Sequence, residues 1–356
     1  MNKKKIIISG GGTLGHILPI IPIVIELYNE YDFYYIGTKK GVEEKYFKDN
    51  NINQYFKEVY YLDMVGINRT NKLKNFQVLY KYFNVRKIIK KIYKRINPNL
   101  IIGMGGYISG VCIKSGINKK IKTIIHEQNT VLGLANKLVY KKVDKVLLSY
   151  DINLNCNNKF LVGNPRYSYV LENYIPQEKN IILIVGGSIG SKYINDLIIN
   201  NYQDFNFKNY IIKLVVGKRY YKDNKNLIEE VNKYDFIQIY DFLDNLIDEI
   251  SNSSLIISRS GATTLSEIMA LRKPSILIPS PNVTDNHQYY NALYYSERGC
   301  CEIIEEKDLS KDVLLNKING IIYNYAYKKQ IETNIIKTNQ INPKKEFIRH
   351  IKEIKC

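Results

Sequence analysis

Residues 6–27 read IIISGGGTLGHILPIIPIVIEL. A short apolar run gives way to a glycine cluster and a histidine, and then to an apolar segment at helical spacing. The order of strand, glycine loop and helix is typical of parallel α/β domains, in which such a loop cradles a phosphate group. The same order returns at residues 183–191, LIVGGSIGS. The repetition predicts two domains of one architecture.

Both halves of the chain alternate short β-branched runs with longer helical patterns. We predict strands in KKIIISG, DFYYIGT, NLIIGMGG, KTIIHEQN and KVLLSY of the first half, and in NIILIVGGS, IIKLVVG, FIQIYDF, SLIISRSG and SILIPSP of the second. Strands separated by helices form parallel sheets through right-handed crossovers. The predicted fold is therefore α/β, with two Rossmann-like domains whose parallel sheets face a cleft. We place them at residues 1–163 and 164–340, with segment 163–180 as linker and a C-terminal helix, about 341–356, packed back on the first domain.

The composition points to an anionic partner. The formal net charge is +18 over 356 residues, which predicts attraction to nucleic acid, a membrane surface or a phosphorylated substrate. The five cysteines form no Cys-x-x-Cys pair, so neither a zinc knuckle nor a disulfide framework is suggested and a reducing compartment is favoured. We expect neither a signal peptide nor a membrane-spanning helix, because residues 1–5 lead straight into a strand and prolines break the longest apolar run. The sequence favours a cytoplasmic protein.

The first glycine cluster formally fits the dinucleotide pattern Gly-x-Gly-x-x-Gly. That pattern also needs an acid at the end of the second strand to bind ribose. The strand ends in YYIGTKK, with Gly37 and Thr38 in the place of the acid, which argues against a dehydrogenase. No Walker loop follows either cluster, since Gly-Lys-Ser/Thr is missing. A tight turn that needs glycine for backbone reasons alone would explain one loop, but two loops that each open a domain favour phosphate binding.

Four further segments follow predicted strands, where ligands of α/β sheets bind. They are MGGYISG, HEQNTVLGLANKL, SRSGATTLSEIMA and TDNHQYYNAL. The third can present backbone N–H groups at a helix start to a pyrophosphate. Glu267, further along that helix, is placed to accept from sugar hydroxyls, although a solvated helix face is the simpler explanation for a carboxylate.

These motifs, taken in order along nearly the whole chain, resemble those of the MurG-type glycosyltransferases of family 28. The matching segments are GGGTLGH, MGGY-SG, HEQN-GLANK, GNPR, VGGSIGS, SRSGA-T-SEI and NHQYYNA. The resemblance implies a GT-B fold and inverting transfer of N-acetylglucosamine from UDP-N-acetylglucosamine. The implied acceptor is the C4 hydroxyl of undecaprenyl-diphosphate-linked muramoyl-pentapeptide (lipid I), and the product is lipid II of peptidoglycan. It also implies a peripheral protein at the cytoplasmic face of the cell membrane, in contact with anionic inner-leaflet lipids.

The resemblance assigns acceptor-side roles to single positions. The first glycine loop, with Thr13, Leu14 and Gly15, matches the loop that faces the transferred sugar and the acceptor diphosphate. Asn129 in HEQN matches a residue that contacts the sugar. Two positions depart from the family pattern: Leu14 stands where glycine or alanine is common, and Arg166 stands one residue earlier than in some members.

Donor-side roles are implied in the same way. Ser188 lies in the donor-phosphate loop, Leu243 matches the position whose backbone meets uracil, and Gln288 matches the glutamine that reads the sugar hydroxyls. His287 stands where some members have another glutamine. The nucleotide-binding helix start, with its last residue on ribose, is matched by Ala262, Thr263, Thr264, Leu265, Ser266 and Glu267.

The implied reaction needs a base for the acceptor hydroxyl and positive potential for the leaving pyrophosphate. The chain contains no Asp-x-Asp, the motif by which many transferases hold a metal, so we predict no metal site and no cofactor, and expect helix N-termini to supply the potential. His16 is the candidate base, because imidazole titrates near neutral pH; the alternative is a histidine that shapes the loop or pairs with a phosphate. His126 follows a strand directly and is expected to orient HEQN.

Residues 72–95 read KLKNFQVLYKYFNVRKIIKKIYKR, with nine Lys or Arg and no acid. Phe76, Leu79 and Phe83 fall at helical spacing, and the isoleucines at 88, 89 and 92 are expected to pack inward. Basic residues round an apolar stripe favour an anionic bilayer surface. Nucleic acid is disfavoured as the partner, because no recognition motif occurs.

Two other functions fit parts of the sequence. One is a GT-B transferase or epimerase for another UDP-sugar; the basic, apolar segment favours a lipid-linked acceptor instead. The other is a non-catalytic nucleotide-sugar-binding partner of a membrane transferase. The presence of Thr13, His16, Asn129, Glu267 and Gln288 together argues against that second function.

Overall fold

The computed structural model describes residues 3–64, 66, 75–187 and 190–354. The chain divides into two compact units, which we call the first unit (Met1–Arg166 with Ile341–Cys356) and the second unit (Tyr167–Gln340). Each unit is built on one parallel β-sheet with helices between the strands. The predicted α/β class with two parallel sheets is confirmed.

The first sheet has seven parallel strands in the order β3-β2-β1-β4-β5-β6-β7. The strands are β1 (Lys4–Ser9), β2 (Tyr31–Thr38), β3 (Glu58–Leu62), β4 (Leu100–Gly103), β5 (Lys122–Glu127), β6 (Lys145–Leu148) and β7 (Lys159–Leu161). The helices between them are α1 (Ile21–Leu27), α2 (Val42–Asp49), α3 (Asn75–Ile96), α4 (Gly106–Asn118) and α5 (Leu134–Lys137).

Strand β1 is buried on both faces, which is why its sequence is a continuous apolar run. Ile6 and Ile8 belong to one hydrophobic cluster, and Ile7 belongs to another on the opposite face of the sheet. Side chains alternate across a strand, and helices cover both faces of a parallel sheet. An interior strand of this kind therefore needs no polar alternation.

The second sheet has six parallel strands in the order β10-β9-β8-β11-β12-β13. The strands are β8 (Ile181–Val185), β9 (Ile211–Val215), β10 (Ile237–Tyr240), β11 (Leu255–Ser258), β12 (Ser275–Leu277) and β13 (Glu302–Ile303). The helices are α6 (Pro165–Asn173), α7 (Lys192–Asn200), α8 (Lys218–Asp223), α9 (Lys225–Val231), α10 (Leu246–Asn252), α11 (Ala262–Ala270), α12 (His287–Ser296), α13 (Lys311–Ile322) and α14 (Tyr325–Thr338).

The last helix, α15 (Pro343–Lys352), belongs to the first unit. Phe347 on this helix is fully buried in the first-unit core, with its ring 5.4 Å from the imidazole of His126. Lys344 on α15 pairs with Glu26 on α1, Nζ to Oε2 2.7 Å. The chain thus returns to its first sheet after completing the second unit.

Three edge strands, β3, β7 and β13, were not predicted. β7 and β13 have only three and two residues, and β3 and β7 carry exposed positions. Short, partly polar edge strands lack the buried apolar run by which the inner strands are recognised. Among the residues that the structure describes, no helix combines the length and apolar character needed to cross a bilayer.

Candidate functional site

The first glycine loop lies where the strand order of the first sheet reverses. β1 is flanked by β2 and β4, and ligands of open parallel sheets bind beyond the carboxyl ends of the strands at such a point. The loop leaves β1 after Ser9 and closes with the 3₁₀ turn Leu14–His16. Beneath it the buried Tyr35 of β2 donates to the carbonyl oxygen of Gly10, Oη to O 2.7 Å. Gly12 has a φ of +86°, a conformation that favours glycine.

The loop after β4 lies directly against the first glycine loop. Gly105 and Gly106 have φ values of +106° and +82°. A Cβ at position 105 would stand 2.6 Å from Cδ2 of His16, and one at 106 would stand 2.4 Å from the carbonyl oxygen of Gly11. The glycines of MGGY are therefore required by the close approach of two loops as well as by their backbone conformation.

The imidazole of His16 is anchored through Nδ1, which lies 2.9 Å from the carbonyl oxygen of Gly11. A carbonyl only accepts, so Nδ1 carries the proton in this bond, and the neutral ring has an unprotonated Nε2. The hydroxyl of Thr13 lies 3.4 Å from the same Nδ1. The ring is half-buried. This arrangement fixes the tautomer that can accept a proton at Nε2.

A buried carboxylate that sequence reasoning missed ties the glycine loop to α2. Glu43 is fully buried. Its Oε2 accepts from the backbone N–H of Gly12 at 3.3 Å, while Oε1 accepts from the N–H of Thr38 at 2.7 Å and also from the Thr38 hydroxyl. An acid is absent from the end of β2, where a ribose-binding residue would stand, and occurs instead in the first turn of the next helix. The pair Glu43–Glu44 at that helix start was the available signal.

The HEQN segment is organised by the buried Glu127. Its Oε1 accepts from the backbone N–H and the Nδ2 of Asn129, at 3.1 and 3.2 Å. Its Oε2 accepts from the N–H of Gly133 at 2.8 Å and from Nδ2 of Asn136 at 2.9 Å. Gln128 donates to the carbonyl oxygen of Met104, Nε2 to O 2.9 Å. The segment is thereby fastened to the loop after β4, and three loops at neighbouring strand ends form one surface.

His126 is a structural residue at the base of this surface. Its Nε2 lies 3.1 Å from the carbonyl oxygen of Gly163, and its Nδ1 accepts from Gln128 at 3.0 Å. Burial lowers its pKa to about 4, against the opposing effect of the Gly163 hydrogen bond. A neutral, fully hydrogen-bonded imidazole orients Gln128, in agreement with the role expected from the sequence.

The second unit repeats the arrangement at the reversal between β8 and β11. Arg259, directly after β11, is the residue that holds its loops together. Its guanidinium donates to Oγ of Ser191 at 2.6 Å, to the carbonyl oxygens of Ile278 and Pro279 at 3.1 Å each, and to the carboxylate of Glu306. The side chain of Arg259 is 12% exposed. This arginine lies in the SRSG motif but was not among the predicted site residues.

Helix α11 begins at the same strand end with its first turn open. Gly261 is its N-cap and no side chain caps it, so the first N–H groups have no intrahelical partner. Leu265 is fully buried and its N–H already bonds to the carbonyl oxygen of Gly261. Ser266 donates its hydroxyl to the carbonyl oxygen of Ala262 at 2.8 Å. Of the predicted run, the N–H groups that can meet an anion are those of its first three residues, Ala262, Thr263 and Thr264.

Glu267 is 5% exposed. The simpler explanation of this residue, a carboxylate on a solvated helix face, is therefore wrong. A carboxylate is rarely buried unless it has partners. Its position on α11, one turn beyond the open helix start, keeps it a candidate for binding the same ligand.

The start of α12 is fastened to this loop. Ser260 donates its hydroxyl to the carbonyl oxygen of Gln288 at 2.7 Å, and Nδ2 of Asn291 donates to the carbonyl oxygen of Ser260 at 3.3 Å. The side chain of Gln288 accepts from the N–H of Ser280, Oε1 to N 2.9 Å. His287, one residue earlier, uses Nδ1 on the carbonyl oxygen of Thr284 at 2.8 Å. The structure thus brings Gln288 to the start of α11.

One predicted residue, Leu243, is not tied to this cluster. Leu243 is half-buried on the loop after β10, the edge strand of the second sheet, two strands away from β8. Ser188 lies outside the described residues. Within the described ranges, no group of three His, Cys, Asp or Glu side chains is arranged to hold a metal ion.

Comparisons with known proteins match both units to one family. Residues 6–148 match the glycosyltransferase family 28 N-terminal domain, and residues 181–351 match the family 28 C-terminal domain. The chain is 34% identical over 335 residues to the UDP-N-acetylglucosamine--N-acetylmuramyl-(pentapeptide) pyrophosphoryl-undecaprenol N-acetylglucosamine transferase of Bacillus cytotoxicus, covering 90% of this chain and 91% of that protein. It is 33% identical over 347 residues to the Lactobacillus acidophilus enzyme of the same name, covering 92% and 93%.

A solved structure shows the same fold. The crystal structure of Acinetobacter baumannii MurG superposes with a TM-score of 0.76 at 22% identity, covering 99% of this chain and all of that chain. The predicted GT-B fold is thereby confirmed.

Proposed function

This chain belongs to glycosyltransferase family 28, and we propose that it transfers N-acetylglucosamine from UDP-N-acetylglucosamine to the C4 hydroxyl of lipid-linked N-acetylmuramoyl-pentapeptide, with inversion, to form lipid II. The observation that carries this proposal is relatedness along nine-tenths of the chain to enzymes named for that transfer. The first unit is assigned the acceptor and the second unit the nucleotide-sugar. The two loop clusters, each at a reversal of strand order, support this division.

On the acceptor side, the first glycine loop faces the diphosphate of the lipid-linked sugar. The N–H groups of Thr13, Leu14 and Gly15 are the donors proposed for it. His16 takes the proton of the attacking hydroxyl at Nε2, because the Gly11 hydrogen bond engages Nδ1 and selects the tautomer of the neutral ring whose Nε2 can accept. Asn129, positioned by the Glu127 carboxylate, contacts the transferred sugar.

On the donor side, the open start of α11 receives the UDP diphosphate. Its uncapped N–H groups and the positive end of the helix dipole favour an anion there. Arg259 is engaged with protein carbonyls and Glu306, so its role is to hold the loops and not to bind phosphate. Glu267 binds the ribose hydroxyls, the backbone at Leu243 binds uracil and Gln288 binds sugar hydroxyls. Ser188 is assigned to the donor phosphates on sequence alone.

The transfer itself needs little beyond these groups. The acceptor oxygen attacks the anomeric carbon from the face opposite UDP, and the bond to the pyrophosphate oxygen breaks. The proton of the hydroxyl passes to the imidazole of His16. The negative charge that develops on the pyrophosphate is stabilised by backbone N–H groups.

The decisive assay combines UDP-N-acetylglucosamine with a short-chain, soluble lipid I analogue and looks for the disaccharide product by mass. Substitution His16→Asn then separates the two roles of the histidine. The Asn amide can still donate to the Gly11 carbonyl, but it cannot accept the proton. A base at position 16 predicts a fall in kcat of about 10²–10⁴ with little change in acceptor KM. Retention of wild-type kcat would leave His16 only the role of shaping the loop.

The proposed site of membrane contact is the exposed face of α3. Leu79, Tyr80 and Phe83 are 54%, 74% and 57% exposed in the first half of this helix. In its second half the exposed residues are mainly basic: Lys87, Lys90, Lys91, Lys94 and Arg95. The opposite face is buried through Val85, Ile89, Ile92, Tyr93 and Ile96. An apolar patch beside a basic patch on one helix face favours an anionic bilayer surface.

The structure corrects three details of the sequence-based assignment. Ile88 is 37% exposed and does not pack inward with its neighbours. Lys81 pairs with Asp63, Nζ to Oδ1 2.8 Å, and Arg86 is half-buried, so neither is a freely solvated cation. Positions 72 and 74, and the side chain of Phe76, lie outside the described part of the chain.

Vesicle binding tests this assignment with two variants. One changes the lysines of α3 at 87, 90, 91 and 94 to Gln, and the other changes Leu79 and Phe83 to Ser. Both variants are expected to weaken binding to anionic vesicles. The vesicle affinity of the Gln variant should also depend less on salt than that of the wild type, because salt screens electrostatic contacts but not apolar insertion. Activity on the soluble acceptor should be unchanged. A matched control changes four exposed lysines elsewhere in the first unit, at 45, 48, 119 and 142, to Gln. Equal weakening by this control would show that the effect comes from net charge and not from the lysines of α3.

A further inference from the structure

A cavity of about 210 Å³ lies in the second unit, away from the donor site. Its walls are residues 176–178, the turn 271–274 after α11, Ser253 and Ser254, and three residues of α14. Segments 176–178 and 253–254 precede β8 and β11, and the turn precedes β12. Because the strands are parallel, the cavity is at the amino-terminal edge of the sheet, opposite the edge where α11 begins.

Two buried ammonium groups reach this cavity. Lys273 is 5% exposed and Lys328 is 4% exposed. Lys328 is ion-paired with the carboxylate of Glu178. Lys273 donates to the backbone carbonyl of Gln177, and among the described residues it has no carboxylate within ion-pair distance. A buried cation without a counter-ion is costly, so an anionic ligand would be stabilised here.

The charges along the wall leave an excess of two positive groups. The charged side chains are Arg272, Lys273, Lys328, Lys329, Glu178 and Glu332. Glu178 is paired with Lys328, and Glu332 with Lys329, Nζ to Oε2 2.7 Å. No carboxylate partner is found for Arg272 or Lys273 within the described ranges. Lys328 also stands at the end of the first turn of α14, where the helix dipole is already positive.

Arg272 occupies a backbone position that normally selects glycine. Its φ is +54°, and the N–H groups of Arg272 and Lys273 close α11 by bonding to the carbonyl oxygens of Met269 and Ile268, at 3.1 Å each. This is the Schellman arrangement, in which the left-handed residue is usually glycine. An arginine is therefore kept at some conformational cost, and its side chain lines the cavity.

We propose that this cavity binds a small phosphate-bearing anion, either inorganic phosphate or the phosphate group of a phosphomonoester. The guanidinium of Arg272 and the ammonium of Lys273 are its ligands, and the Lys328–Glu178 pair forms one side. Burial, and then the charge of Lys328, lower the pKa of Lys273 to about 8, while Glu178 and Glu332 act in the opposite direction. A bound anion favours the charged lysine, so affinity is expected to fall as the pH rises from 7 through 8 to 9.

The test titrates inorganic phosphate, and separately glycerol 3-phosphate, into the intact protein by calorimetry, with and without saturating UDP. A site that survives UDP is expected, because the donor site is at the opposite sheet edge. Lys273→Met and Arg272→Gly are each expected to weaken binding about tenfold or more, since each removes a charge-assisted hydrogen bond. Arg272→Gly is also the folding control, because glycine suits a φ of +54°. Lys337→Gln, an exposed lysine of α14 outside the cavity, should change nothing.

The two probes identify the source of the phosphate. Tighter binding of the ester supports a metabolite whose organic part lies outside the cavity, and equal binding supports free phosphate. Loss of the signal on adding UDP would assign phosphate to the donor site and overturn the proposal. Wild-type affinity in both cavity variants, or no binding at millimolar phosphate, would overturn it as well.

Discussion

The carboxylate of Glu43 holds the first glycine loop, and Glu43→Gln isolates that contact. Glutamine keeps Oε1 as acceptor for the two donors of Thr38, its backbone N–H at 2.7 Å and its hydroxyl. It places an NH₂ group where Oε2 accepts from the N–H of Gly12 at 3.3 Å. Two donors then face each other, so the Gly12 bond is lost while the fastening of α2 to β2 remains.

The expected loss of stability is small and the expected loss of activity is larger. Gly12 is exposed, so water can satisfy its N–H, and the free energy of unfolding should fall by only about 1 kcal/mol. A loop displaced by an ångström can lose about 10²-fold in rate, and kcat/KM for the lipid I analogue should fall between about 10- and 100-fold. Glu43→Ala also removes the acceptor of both donors of the half-buried Thr38, which should cost about 2–4 kcal/mol.

The assays are urea unfolding followed by circular dichroism and initial rates with each substrate varied in turn. Glu44→Gln is the matched control, because this neighbour on the same helix is exposed. The KM for UDP-N-acetylglucosamine should not change in the Gln variant, since the nucleotide-sugar is assigned to the second unit. A Gln variant with the acceptor kcat/KM of the wild type would refute the idea that Glu43 positions the loop.

Three further predictions follow from the donor helix, the buried histidine and the motif content. Glu267→Ala should weaken UDP binding by calorimetry about tenfold or more, because a carboxylate that accepts from ribose hydroxyls makes charge-assisted bonds; unchanged affinity in a folded variant would remove Glu267 from the site. His126 is neutral when folded, with a pKa of about 4, and takes up a proton on unfolding below about pH 6.5. The contribution of the neutral His126 to the free energy of unfolding is thus fully present above pH 6.5. It is lost between pH 6.5 and pH 4, by about 2 kcal/mol at pH 5. His126→Gln should flatten this loss in urea titrations at pH 7.5 and 5. Turnover should persist in excess chelator, since the chain has no Asp-x-Asp; complete loss restored by magnesium would contradict a metal-free reaction.

The sequence predicted the inner strands and the loops that follow them because both carry strong local signals. An interior parallel strand such as β1 is buried on both faces and is an unbroken apolar run. The glycines at 105 and 106 are detectable because their conformation and close contacts exclude other residues. The edge strands β3, β7 and β13 have neither feature, and their pairing depends on neighbours that are distant in sequence.

The residues that hold the site together were missed for a related reason. Glu43 reaches Gly12 across 31 positions, and Arg259 reaches Ser191 across 68. A carboxylate in a first helical turn or an arginine after a strand is common, and only the folded chain shows that each is buried against a loop. The burial of Glu267 could not be predicted either. The sequence of the nine-residue helix α11 does not show which of its faces the rest of the chain covers.

The way the loops are fastened accounts for the anion binding that we propose for both units. In the first unit, Tyr35 and His16 donate to the carbonyl oxygens of Gly10 and Gly11; in the second, Arg259 donates to two carbonyl oxygens beyond β12. Side-chain donors thus occupy these carbonyl oxygens. The N–H groups at the start of the Leu14–His16 turn and of α11 have no intrahelical partners, because the first N–H groups of any helix lack them. A concave surface that exposes N–H groups and hides carbonyl oxygens carries a positive potential without any cationic side chain at its centre. In the proposed reaction, such a site would release the diphosphate after transfer more readily than a lysine or arginine clamp, because no ion pair has to be broken.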